Sequence, residues 1–151
     1  MGFWDDLKSK VTDMNEAMQA NVSRFKNDKF ASASMAMCAL VSAADGSIDA
    51  SERKKTAGFI AANPMLQAFD ITKLQERFNY FCDKLTADFD FGKIEAIQTL
   101  GKLKGKEDQA RACVQLGIII GGADGNFDAD EKAVVKEACH AVGIDPGEFD
   151  L

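Results

Sequence analysis

The sequence predicts an all-α protein, a compact bundle of about seven helices built from two pseudo-repeated helix–acidic turn–helix units. Three observations predict it. Apolar residues recur at intervals of three and four along most of the chain, which places them on one face of a helix. No stretch alternates apolar and polar residues as a half-buried strand would; Ile118, Ile119 and Ile120 are β-branched but lie within helical spacing. Finally, AADGSIDASERK at 43–54 is nearly repeated as GADGNFDADEKA at 122–133.

The elements follow in order. Trp4, Leu7, Val11, Met14 and Met18 form one apolar stripe and predict a first helix. The polar NVSRFKNDK that follows is turn-prone. A second helix is predicted over 30–44, rich in Ala and Met and so closely packed on its neighbours. A third spans 49–62 and stops ahead of Pro64, because the residue before proline is driven out of the helical region. A fourth begins near Asp70 and carries Leu74, Phe78, Phe81 and Leu85 on one side. The fifth covers 91–103, the sixth 106–120 and the seventh 128–142. In the tail GIDPGEF, Asp145 is placed as a cap, Pro146 at the first helical position and Glu148 as the closing residue of a capping box.

The repeat is longer than the motif. A shift of 79 residues sets Ala31 on Ala110, Ala33 on Ala112, Ala44-Asp45-Gly46 on Ala123-Asp124-Gly125, and Asp49 and Glu52 on Asp128 and Glu131. Repeats of about 31–60 and 110–139 are therefore expected inside one domain over 1–151. Two such hairpins, packed with pseudo-twofold symmetry, would bring both acidic turns near one another.

The acidic turns admit two readings. In the first, Asp-Gly turns the chain, Asp49 and Asp128 cap helices, Glu52 and Glu131 close capping boxes, and Ile48 and Phe127 occupy the staple position. In the second, they bind a cation. Capping does not require Asp45, Asp124 or the oxygens of Ser47 and Asn126. An Asp followed by a side-chain oxygen two residues on and an Asp four residues on is how a hard-cation loop begins. The pattern is not an EF-hand, since Glu falls at position 8 of the loop and Gly at position 2. One turn has too few ligands for calcium, but two facing turns could supply a shared site or a pair.

Composition sets the class. With 151 residues, 46% hydrophobic and 28% charged, the chain can bury a real core. The net charge of −6 falls entirely on 121–151, where eight acids face Lys132 and Lys136. That balance argues against nucleic acid and suits cations or a basic partner. The longest apolar run, 114–120, is too short to cross a bilayer. The start MGFWDDLK lacks a basic region ahead of an apolar core, so the cytoplasm is the expected compartment. Phe3 and Trp4 are expected to pack, or to touch a partner, and not to insert in lipid. Cys38, Cys82, Cys113 and Cys139 show no C-x-x-C spacing and read as reduced, buried thiols. A thiol enzyme would need a Cys with a depressed pKa, and no Cys sits at a helix N-terminus. GKLKGKE at 101–107 fails the phosphate-loop pattern, and His140, the one histidine, cannot build a triad or a His-based metal site.

The two ADG-[apolar]-D-x-x-E turns, about 80 residues apart in an acidic helical chain, resemble the TerB family of tellurite resistance proteins. The resemblance covers essentially the whole chain, from MGFWDDLK to GIDPGEF. It implies a compact all-helical bundle and a non-enzymatic role in the Ter stress system, which confers resistance to tellurite and to some phages and colicins. It implies a divalent metal, calcium first, held by Asp45, Asp49 and Glu52 of one turn and Asp124, Asp128 and Glu131 of the other. It also implies a cytoplasmic adaptor, peripheral at the inner membrane through the integral membrane protein TerC, with other Ter proteins as partners. The competing reading is a metal-free acidic interaction module whose carboxylates only cap helices.

Overall fold

The structure, a computed structural model, describes residues 27–46, 48–63, 66–67, 69–122 and 127–151. Over these it is all-helical: α1 Asp28–Ser42, α2 Ala50–Ala62, α3 Ile71–Ala87, α4 Phe89–Gly101, α5 Glu107–Gly122 and α6 Ala129–Val142, then a 3-10 turn, Pro146–Phe149. The described residues contain no strand, as the spacing predicts. The predicted first helix, with Trp4, Met14 and Met18, lies outside the described residues.

Helix α1 is the centre. Eleven of its 15 residues are buried, so it is surrounded and not merely amphipathic. It packs against each of the other five helices. The small side chains of Ala31, Ala33, Ala36 and Ala39 permit that approach, and Phe30, Met35, Met37 and Leu40 fill the space between them. Burying each of these four stabilises the fold by about 1.5–3 kcal/mol. Helix α5 is its counterpart, buried from Ala110 through Ile120 along most of its length.

The 79-residue shift holds for the helix bounds. It carries α1 onto α5 and α2 onto α6 nearly end to end. Equivalent positions meet at the pseudo-axis: the buried Ser34 hydroxyl lies beside the thiol of Cys113, its own repeat partner. Close by, Met37 fills the notch left by Gly117, where an added Cβ would come 2.7 Å from the Met37 sulfur.

Between the repeats, α3 and α4 form a helical hairpin. Asp88 is both the C-cap of α3 and the N-cap of α4, where its carboxylate accepts from Phe91 N–H at 3.2 Å. That cap starts α4 at Phe89, two residues ahead of the sequence expectation. The hairpin closes tightly because Gly92 has no side chain: a Cβ there would lie 2.7 Å from the Leu85 backbone nitrogen.

The tail departs from its expectation in one respect. Asp145 does cap, accepting from Gly147 N–H at 2.9 Å. Glu148 does not close a box. Its carboxylate instead takes both prongs of the Arg111 guanidinium, at 3.0 and 3.2 Å. The two-pronged ion pair uses both carboxylate oxygens, where a cap N–H would use one, and it ties the tail to α5.

Candidate functional site

The end of α1 and the start of α2 meet the end of α5 and the start of α6 at one cleft, where Val41, Ser42, Asp45 and Glu52 lie opposite Ile120, Gly121, Asp128 and Glu131. In the first turn, Gly46 adopts φ +96°, the left-handed region that glycine enters without strain, and its N–H donates to Ala43 O at 2.9 Å. Ile48 and Phe127, the residues before the caps, are both buried. Each anchors its chain as a staple does before the next helix starts.

The caps form as drawn from sequence, but unequally. Asp49 accepts from Glu52 N–H at 2.7 Å, and Asp128 accepts from Glu131 N–H at 2.8 Å. In α6 the box is complete, with Glu131 accepting from Asp128 N–H at 3.0 Å. In α2 only half of the box forms. The Glu52 carboxylate turns instead toward an open cleft.

That cleft, of about 440 Å³, is the site. Asp45 and Glu52 line it from the first repeat, Asp128 and Glu131 from the second. The structure thus brings together four of the six acids picked from sequence. Asp49 does not line the cleft and is an exposed N-cap. Asp124 lies outside the described residues. The carboxylates are hard oxygen donors of the kind that suit a divalent cation. Among the described residues, however, no group of three His, Cys, Asp or Glu side chains converges closely enough to hold a metal ion. The donor chemistry fits a hard cation; the spacing seen here is that of an open site.

Sequence reasoning missed the other walls. Ser42 and Thr56 line the cleft with their hydroxyls 3.1 Å apart, joining α1 to α2. Lys55 brings an ammonium, and Val41, Phe59, Ile120 and Gly121 supply an apolar floor. A signal for Lys55, Thr56 and Phe59 was present, since they lie three, four and seven residues after Glu52 and so on its face of the helix. Gly121 is required: a Cβ there would meet the Phe127 ring at 2.9 Å and a Glu131 carboxylate oxygen at 3.1 Å.

No cysteine or histidine is among the described lining residues. All four cysteines are free and buried. Burial pushes the Cys82, Cys113 and Cys139 thiols up to about 12, and Cys38 is also raised well above its ordinary value. These are inert, protonated thiols, the reverse of a nucleophile.

The family model described as "Tellurite resistance protein TerB" matches residues 31–151. The chain is also similar to a protein of Alcaligenes sp named "Tellurium resistance protein TerB": 30% identical over 118 residues, covering 78% of this chain and 97% of the relative. No solved structure matches.

Proposed function

The chain belongs to the TerB family of tellurite resistance proteins, and from that premise we propose that it is a non-enzymatic, divalent-cation-binding adaptor. The observation that supports this most is that carboxylates of both repeats, Asp45 and Glu52 with Asp128 and Glu131, line one cleft. In this reading Asp45, Glu52, Asp128 and Glu131 hold the cation, with Asp124 of the second turn as a further candidate, and calcium is the first ion to test. Asp49 serves as the cap that orients Glu52. The bound ion neutralises part of an acidic end and fixes its shape, and that end docks on an integral membrane partner of the TerC kind, alongside other Ter proteins. In this reading the adaptor is peripheral and reaches the membrane through its partner; no helix among the described residues is long and apolar enough to cross a membrane.

The inert thiols bear against direct thiol chemistry on tellurium oxyanions. A metal-free interaction module is the second reading, and the intact Asp128–Glu131 capping box favours it, because there the carboxylates already have backbone partners. Calorimetric titration of chelator-treated protein with calcium, magnesium, manganese and zinc separates the two. The adaptor reading expects saturable binding that Asp45→Asn with Asp124→Asn removes while helicity is kept. Folded protein that binds none of the four ions would leave the acidic end to a basic partner, with association weakened by salt and indifferent to chelators.

A further inference from the structure

Among the described residues, large apolar side chains left in solvent gather on the α3–α4 hairpin. Phe91 is 73% exposed, Ile94 52% and Tyr80 45%. Phe91 and Ile94 line a groove of about 430 Å³ with Lys84, Gly92, Glu95 and Gln98. Tyr80 reaches its rim from α3: the hydroxyl donates to Glu95 at 2.5 Å, and the Lys84 ammonium lies 5.5 Å from the ring. The other side of the hairpin, with Phe78, Leu85, Ala96 and Leu100, is what packs on the core. A single apolar side chain in solvent is ordinary, but three around one groove mark a surface that something covers.

The chain carries a cover of the right kind. Residues 1–26 lie outside the described residues, and their sequence holds the apolar stripe of Trp4, Leu7, Val11, Met14 and Met18. A helix with one apolar face needs a surface on which to bury it. The described chain begins at Asn27, which caps α1, and the next residue, Asp28, pairs with Arg77 of α3. Residues 1–26 therefore join the bundle beside Arg77, one turn of α3 ahead of Tyr80. The lengths agree. As a helix the stripe from Trp4 to Met18 spans about 21 Å, and α3 from Arg77 to Ala87 spans about 15 Å. Residues 19–26 bridge up to about 26 Å. The charges agree as well. Residues 3–18 hold Asp5, Asp6, Asp13 and Glu16 against Lys8 and Lys10. On α3, Lys73, Arg77, Tyr80 and Lys84 recur on one stripe, and the neighbouring Asp83 is taken by Arg53 at 2.8 Å.

We propose that the segment over 3–18 seats as a helix on the outer face of the α3–α4 hairpin, turning its apolar stripe onto Tyr80, Phe91 and Ile94. The hairpin is then covered on both sides, and the exposed apolar groove is the seat of the chain's own N-terminal segment. This segment precedes the residues that match the family model, 31–151. The seat is separate from the acidic cleft and stands whether or not a cation binds there.

Trp4 is the single tryptophan, so its fluorescence reports the seating directly. Emission and acrylamide quenching are measured on the full chain over a range of protein concentrations, with circular dichroism on the same samples. The seated segment gives blue-shifted emission and weak quenching, both independent of concentration. Phe91→Ser with Ile94→Ser should shift the emission to the red and raise quenching several-fold while the helical signal of the bundle is kept, because both side chains stand outside the core. Lys84→Glu, which sets a like charge against the segment's acids, should move Trp4 the same way by less. Freely quenched Trp4 in the parent overturns the proposal. So does parental shielding in the folded Phe91→Ser/Ile94→Ser and Lys84→Glu variants, which would seat the segment elsewhere. Shielding that grows with protein concentration would make a second copy the occupant, and overturns it too.

Discussion

Asp49 and Asp45 are both exposed acids of one turn, four residues apart, yet the structure gives them different work. The Asp49 carboxylate accepts from Glu52 N–H and starts α2; Asp45 faces the cleft. Asp49→Ala should therefore lower stability by about 1 kcal/mol, the usual loss for a missing N-cap, and Asp49→Asn should restore it. Chemical denaturation of the three proteins checks this, and calcium affinity should change far less in Asp49→Asn than in Asp45→Asn. At this scale the caps at Asp49, Asp128 and Asp145 were legible, because a cap is local chemistry written in nearby residues, whereas the Asp88 cap and the open half of the Glu52 box were not. The pairing of Glu148 with Arg111 was not, since it joins residues 37 apart in sequence. A capping pattern at 145–148 competed with a charged partner that only the fold brings near.

At the scale of elements, helical spacing located six helices to within two residues, with the seventh expectation lying outside the described residues. The repeat told which helices are related. It did not tell how tightly each is held. The same pattern, cap then Glu at the third position, opens both α2 and α6, but Val134 and Val135 bury while Lys55 and Thr56 line a cleft. The apolar face of a helix shows in sequence; the space left opposite it does not. The α3–α4 hairpin gives a sharper test of packing. Gly92 touches the Leu85 backbone, which has no rotamer to yield. Gly92→Ala should destabilise by about 1–3 kcal/mol through overpacking, outweighing the gain in helix propensity of about 1 kcal/mol. Thermal unfolding should show a drop of several degrees, whereas Gly58→Ala, with open space around its Cβ, should be neutral or stabilising.

At the scale of the whole molecule, the core and the charge are kept apart. The four thiols lie in the core, and four of the acids line the cleft. Native protein should leave a thiol reagent unreacted at pH 8, and denaturant should release four reactive groups. The pH dependence has a defined sign. Folding raises the Cys82, Cys113 and Cys139 thiols to about 12 from an ordinary value near 9, and raises Cys38 as well, so the unfolded chain loses its protons first. This contribution to stability is complete below pH 9 and falls as pH rises toward 12, which denaturation midpoints between pH 8 and 11 would show. Whole-chain charge was readable at once, and so, from symmetry, was the nearness of Asp45 and Glu52 to Asp128 and Glu131. The openness of the cleft was not, because it depends on how far α2 stands from α5.

The central claim is that two separated repeats build one cation site. Glu52→Gln and Asp128→Asn remove one carboxylate from each side, and Asn keeps the α6 cap. Calcium titration of the parent, the two single variants and the double variant is the most direct measurement. A shared site predicts that each single substitution weakens all of the binding, by about tenfold or more, or about 1.4 kcal/mol. Binding in which one substitution leaves a separate population at parental affinity, or folded parent that takes up no calcium, would contradict it.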